Sequence, residues 1–237
     1  MPTMEETRED FTIFEEATRQ QYRFVLPGAR LREEEWQECL DELASLDPRP
    51  NFIVASGSLP PGVTEDFFGR VASGAKASGA KVVVDTSGPA LKAALLEGVF
   101  LIKPNLREFR ELTGVLSSHD QALIDAGRSL IGQGSVELIA VTLGSEGALL
   151  IGKHYALRAN GLPIKPASVV GAGDSFLAAM VLSLAKQDSL DIALSYGVAA
   201  GSAALLNPGT ELCSLDDVQR LFEQVRLRSG VYHGSDG

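Results

Sequence analysis

Phe52-Ile53-Val54-Ala55 runs into Ser56-Gly57-Ser58-Leu59-Pro60-Pro61-Gly62, and this unit, a short apolar run ending in a polar or glycine-rich turn, is repeated as far as Gly144. Val82-Val83-Val84 leads to Asp85-Thr86-Ser87, Phe100-Leu101-Ile102 to Lys103-Pro104-Asn105, and Val136–Leu143 closes on Thr142-Leu143-Gly144. Helical patterns fill the intervals, over Thr64–Ser78, Pro89–Glu97, Leu106–Thr113 and His119–Gly132. Strands that are apolar on both faces and alternate with helices predict a parallel sheet covered on each side. Ala148–Ile151 is expected to return as a hairpin across the Gly144–Gly147 turn.

On the N-terminal side, Phe11–Phe14 and Gln21–Leu26 have the aromatic and β-branched content of short strands, and Pro27-Gly28 ends the second. Leu31–Leu46 is an amphipathic helix and Asp47-Pro48-Arg49-Pro50 a loop. Beyond Asp174 the pattern is helical. Asp174–Lys186 and Leu190–Leu206 are apolar and alanine-rich, as buried helices are, and Ser214 with Asp217 resembles a capping box ahead of the stripe Leu215, Val218, Leu221, Phe222 and Val225. With neither a repeat nor a linker, residues 1–237 read as a single domain, and 229–237 as a disordered tail.

Bulk properties narrow the classes. A formal net charge of −10 argues against a general nucleic-acid or anionic-membrane surface, since both need concentrated positive charge. It leaves room for a local phosphate site built from backbone amides and one or two lysines. Cys39 and Cys213 have no paired spacing and the three histidines are scattered, which points to a reducing compartment and away from a His/Cys metal site. The acidic opening has no apolar core and no run reaches spanning length, so the expectation is a soluble, cytoplasmic protein.

The chemistry collects at the strand ends, where open parallel sheets bind ligands. The sharpest feature is Val169-Val170-Gly171-Ala172-Gly173-Asp174-Ser175-Phe176. Its glycines allow a tight turn, and the helix that follows presents unpaired N–H groups suited to an anion. Asp174 would repel a phosphate unless its task is to take a proton from a hydroxyl attacking that phosphate. An ordinary glycine turn with Asp174 as a helix cap is the competing reading. Asn105 and Glu108, one turn apart at a helix start, suit water-mediated Mg²⁺ or, alternatively, a plain cap. Phe176 takes the place of the third glycine of a dinucleotide fingerprint, and no Gly-Lys-Ser/Thr supplies a Walker loop.

Taken together, Gly171-Ala172-Gly173-Asp174, Asn105-x-x-Glu108, Ser56–Gly62, Gln21–Gly28 and Tyr196–Cys213 resemble the ribokinase-like (PfkB) sugar kinases, nearly from Thr7 to about Arg226. The resemblance implies a three-layer α/β/α fold with a mostly parallel sheet, N-terminally truncated, with residues 8–28 as lid or edge strands. It implies ATP-dependent phosphorylation of a sugar phosphate, with fructose 6-phosphate first and fructose 1-phosphate or tagatose 6-phosphate next. Asp174 would be the base, and Gly171, Ala172 and Gly173 the anion hole. Lys103, Asn105, Thr142, Gly144, Gly147, Val198 and Ser202 match nucleotide positions, Asn105 and Glu108 the Mg²⁺ motif, and Ser58 and Asp85 the sugar side. Ser168, Val170, Ala204, Asn207 and Gly209 match a K⁺ loop. A homodimer is expected where the lid is complete. The family's opening strands, acceptor-binding Asp and Gly-Gly signature find no match, so a nucleotide-binding fragment without turnover is the rival expectation.

Overall fold

The structure is a computed structural model and describes residues 3–230 except 16, 19 and 27. Two strands, β1 (Asp10–Glu15) and β2 (Gln20–Val25), form a separate antiparallel ribbon. Helix α1 (Glu33–Ala44) then leads to the main body: β3 (Phe52–Ser56), α2 (Phe67–Ser78), β4 (Lys81–Asp85), α3 (Gly88–Glu97), β5 (Val99–Ile102), α4 (Leu106–Thr113), α5 (Asp120–Gly132) and β6 (Val136–Thr142). A 3₁₀ turn at Gly144–Glu146 joins β6 to β7 (Gly147–Ile151), which is followed by β8 (Ala156–Asn160), α6 (Ala172–Ala185), α7 (Leu190–Ala204), α8 (Leu215–Phe222) and β9 (Leu227–Gly230).

The seven strands of the main sheet lie in the order β3-β4-β5-β6-β7-β8-β9. The first four are parallel to their neighbours and the last three antiparallel, so the sheet is mixed. Each parallel step advances one strand in the same direction, and right-handed crossovers then put every connecting helix on one face. The packing agrees. Phe68 of α2, Leu91 of α3, Phe109 of α4 and Leu123 of α5 share one core with Val82, Val84, Ile102 and Ile139. The alternate residues Val83, Leu101, Leu138 and Ala140 face the other core with Met180 of α6, Leu194 of α7 and Leu221 of α8. Successive strand side chains point to opposite faces, so one apolar run feeds both layers.

Most expected elements are found within a residue or two. Strands β8 and β9 are not anticipated: Ala156–Asn160 and Leu227–Gly230 contain no β-branched or aromatic residue, and become strands only by pairing outward from the buried β7. Ser229 and Gly230, read as the start of a tail, are the end of β9, while 231–237 lie outside the described residues. In the ribbon, Phe11 opposes Phe24 and Ile13 opposes Tyr22, which puts four large side chains on one face, each about half exposed. The two phenyl rings stack with centroids 5.1 Å apart. Among the described residues no helix is long and apolar enough to cross a membrane.

Leu101 sits at the centre of β5 with no exposed surface and packs against the α6–α8 layer. Leu101→Ala is expected to lower unfolding free energy by about 3 kcal/mol, read as a shift of the urea midpoint at unchanged slope.

Candidate functional site

The loop after β8 returns to the sheet and enters α6 through Gly171, whose φ of +77° is left-handed and favours glycine. No side chain caps this end, so the amides of the first turn of α6 have no helical partner. Two close approaches fix the turn in place. A Cβ on Gly201 of α7 would sit 3.1 Å from the Ala172 carbonyl oxygen, and one on Gly197 would sit 3.0 Å from the Phe176 ring. Bare backbone on α7 therefore lets α6 start where it does.

Below this helix start, Lys103 at the end of β5 is almost fully buried, and its Nζ lies 3.1 Å from Asp85 Oδ1 at the end of β4. A Cβ on Gly173 would come within 3.2 Å of the same Nζ. Burial pushes the Asp85 carboxyl above the ordinary aspartate value; Lys103 pulls it down, while the charges of Asp174 and Glu108 add to the rise. Asp174 is thus near enough to be felt at Asp85, yet it is itself exposed. No ion pair to Asp174 is found among the described residues, which leaves its carboxylate available.

A cavity of about 430 Å³ opens beside this junction, lined by Asn105, Thr142, Gly144, Gly147, Ala172, Gly173, Val198 and Ser202 together with Leu162, Ile164, Phe176 and Leu205. Of the expected nucleotide positions, all line it but Lys103, which stands at its edge beside Gly173. The apolar members from the β8–α6 loop, Leu162 and Ile164, escaped sequence reading because nothing local marks an aliphatic residue as cavity-facing. Gly147 keeps φ +98° at the cavity wall, where a Cβ would collide with the Ala159 carbonyl.

Asn105 and Glu108 form a reciprocal capping box on α4: Glu108 N donates to Asn105 Oδ1 at 3.0 Å and Asn105 N donates to Glu108 Oε2 at 3.0 Å. The cap reading therefore holds. It does not exhaust the pair, because Glu108 Oε1 is 3.9 Å from its nearest cation, the Arg107 guanidinium. Among the described residues no three His, Cys, Asp or Glu side chains are grouped to enclose a metal ion.

The remaining expected positions fall on two flanks. Of Ser168, Val170, Ala204, Asn207 and Gly209, three are tied directly, since Ser168 Oγ donates to the Gly209 carbonyl at 2.8 Å and accepts from Val170 N at 3.2 Å, while Asn207 N donates to the Ala204 carbonyl at 3.4 Å. Asn207 Nδ2 donates to the Leu212 carbonyl on the same turn at 2.7 Å. On the opposite flank, Ser58 is exposed and its Oγ accepts from Arg8 Nη1 at 3.2 Å, while Gly57 N donates to the Asp85 carbonyl at 2.9 Å. Arg8, absent from the sequence reading, brings a cation to the Ser58 side. It comes from outside the main sheet, so no local pattern ties it to that loop.

Residues 2–217 match the description "pfkB family carbohydrate kinase". The chain is 44% identical over 223 residues to the ATP-dependent 6-phosphofructokinase isozyme 2 of Mycobacterium tuberculosis H37Rv, a match that takes in 94% of this chain and 66% of that protein. It is 36% identical over 176 residues to the 1-phosphofructokinase of Borreliella burgdorferi, covering 74% of this chain and 56% of that one. The crystal structure of Escherichia coli phosphofructokinase-2 in complex with potassium superposes with a TM-score of 0.86 at 39% identity, over 92% of this chain and 71% of the other. The chain thus spans just under two thirds of the length of the mycobacterial relative. By sequence pattern and by fold alike, it belongs to the pfkB family of carbohydrate kinases.

Proposed function

We propose that this chain serves an ATP-dependent sugar-phosphate kinase, with fructose 6-phosphate as the first acceptor to test and fructose 1-phosphate and tagatose 6-phosphate next. One observation carries the reading: an uncapped helix start, an exposed carboxylate on its first turn and a buried lysine meet at the mouth of one cavity. The acceptor hydroxyl oxygen bonds to the γ-phosphorus, its proton passes to Asp174 Oδ, and the bond from phosphorus to the bridging oxygen of ADP breaks. The amides at Ala172, Gly173 and Asp174 face the migrating phosphoryl, where preformed donors are worth most. Lys103 adds a fixed positive charge, and Asp85 keeps it in place. Mg²⁺, held through water by Asn105 and Glu108, would neutralise phosphate charge. Ser58 and Arg8 meet the sugar phosphate.

K⁺ is proposed at the junction of 168–170 with 204–209, where the Ser168 hydroxyl already meets the Gly209 carbonyl. A second copy is proposed against the ribbon face of Phe11, Ile13, Tyr22 and Phe24, because a two-stranded sheet is marginal by itself and this apolar face is half exposed. The second reading is a chain that binds nucleotide without turning it over. It predicts ADP binding by calorimetry with no ADP release in a coupled assay on any of the three sugar phosphates.

Asp174→Asn is expected to lower kcat by roughly 10²–10⁴ with ADP affinity nearly unchanged; turnover close to wild type would remove Asp174 as the base. Replacing NaCl by KCl at equal ionic strength is expected to raise the melting temperature, and equal values would dismiss the cation. Asp85 gives a pH signature. The folded chain binds this proton more tightly than the unfolded one, so its stabilising contribution is complete below the ordinary aspartate pKa and is lost as pH rises through the elevated folded value. Asp85→Asn lacks that loss, so its urea midpoint should gain on wild type between the acid range and neutrality. Parallel pH profiles would mean that Asp85 is not elevated.

A further inference from the structure

On the far side of the nucleotide wall lies a second cavity, of about 510 Å³, whose lining includes His119, Asp120, Glu146, Arg158 and Arg228. Arg158 stands out. It belongs to β8, opposite Leu149 of β7 and opposite Arg228 of β9. Two cations directly across a ladder repel, and Arg228 has no ion-pair or hydrogen-bond partner among the described residues. Sheet pairing therefore gives no reason for an arginine at 158.

Its side chain does. The side chain is only 16% exposed, although β8 lies one strand from the edge of the sheet. Nη1 donates to the Glu146 carbonyl at 2.8 Å, the Ala148 carbonyl at 3.3 Å and the Ala159 carbonyl at 2.6 Å. Nε lies 3.2 Å from Asp120 Oδ2 on the first turn of α5, and Nη2 lies 3.9 Å from Glu146 Oε2. Two of those carbonyls belong to Glu146–Ala148, the link from the 3₁₀ turn into β7. Gly144, Ser145 and Gly147 of the same link face the nucleotide cavity on its other side. The link has no slack, since a Cβ at Gly147 or Gly161 would strike carbonyl oxygens across it. A planar fork is the one side-chain shape that reaches several carbonyls and a carboxylate together; an ammonium has the charge without the reach.

We propose that Arg158 is a positioning residue for nucleotide binding: it never meets the ligand, and it fixes the backbone of 144–147 by bridging that turn to the start of α5. The inference rests on the nucleotide reading of the cavity given above. Arg158→Met keeps the stem and removes the fork, and Arg158→Lys keeps the charge.

The test is ADP binding by calorimetry to the full chain, with melting temperature and amide hydrogen exchange measured alongside. In Arg158→Met, ADP affinity is expected to fall about 10- to 100-fold, the scale on which misplaced binding groups cost. Exchange should quicken at 144–148, while the melting temperature and fructose 6-phosphate affinity hold. Arg158→Lys should fall between Arg158→Met and wild type, and it decides the matter if Arg158→Met does not fold. Wild-type ADP affinity in a folded Arg158→Met, or in Arg158→Lys when Arg158→Met is unfolded, overturns the positioning role and leaves the kinase reading standing. A wild-type chain that binds no ADP overturns both.

Discussion

The buried pair of Lys103 and Asp85 is the constraint around which the site is organised. Each residue ends a strand, and each loses hydration that its partner only partly returns, so as a stabilising device the pair is poor. What it achieves is placement. A lysine held at 3.1 Å by a carboxylate cannot swing into solvent, and it lies against the bare Cα of Gly173, where a larger residue would push it away. Strands β4 and β5 and helix α6 are thus tied at one point, and the point is charged.

Around it the chain repeatedly gives a single feature two tasks. The Asn105–Glu108 box caps the first turn of α4, and Asn105 also lines the cavity. The close packing of α7 on α6 through Gly197 and Gly201 buries apolar surface and also settles where unpaired amides emerge. The Gly144–Gly147 turn closes a hairpin and makes a wall. Such economy is expected in a family whose chemistry is mostly positioning, because each part that fixes geometry contributes to phosphoryl transfer.

Much of this was legible in advance at positions where local chemistry is strongly biased. Val82–Val84 and Phe100–Ile102 could only be buried on both sides, and helix starts at Asn105 and Ser214 are written in their capping side chains. Gly171-Ala172-Gly173-Asp174 was legible as a glycine turn into a helix start, with an ordinary turn capped by Asp174 as the competing reading. Strands β8 and β9 were not legible, because Ala156–Asn160 and Leu227–Gly230 carry no strand preference and take that form from the ladder they join. Arg8 and Arg158 were invisible for a related reason: their partners lie 50 and 12 residues away, at Ser58 and at the Glu146 carbonyl.

By itself, then, the sequence determined which segments are strands and helices in the parallel half, and which polar residues stand at the strand ends, since these follow from hydrophobic period and turn chemistry. Tertiary structure alone decided that the lysine pairs with Asp85 while no described residue forms an ion pair with Asp174, that aliphatic residues of the β8–α6 loop wall the cavity, and that Arg158 of β8 reaches the carbonyls of Glu146 and Ala148. Those outcomes depend on distances between elements, and distance across a fold is set by packing, which no window of neighbouring residues encodes.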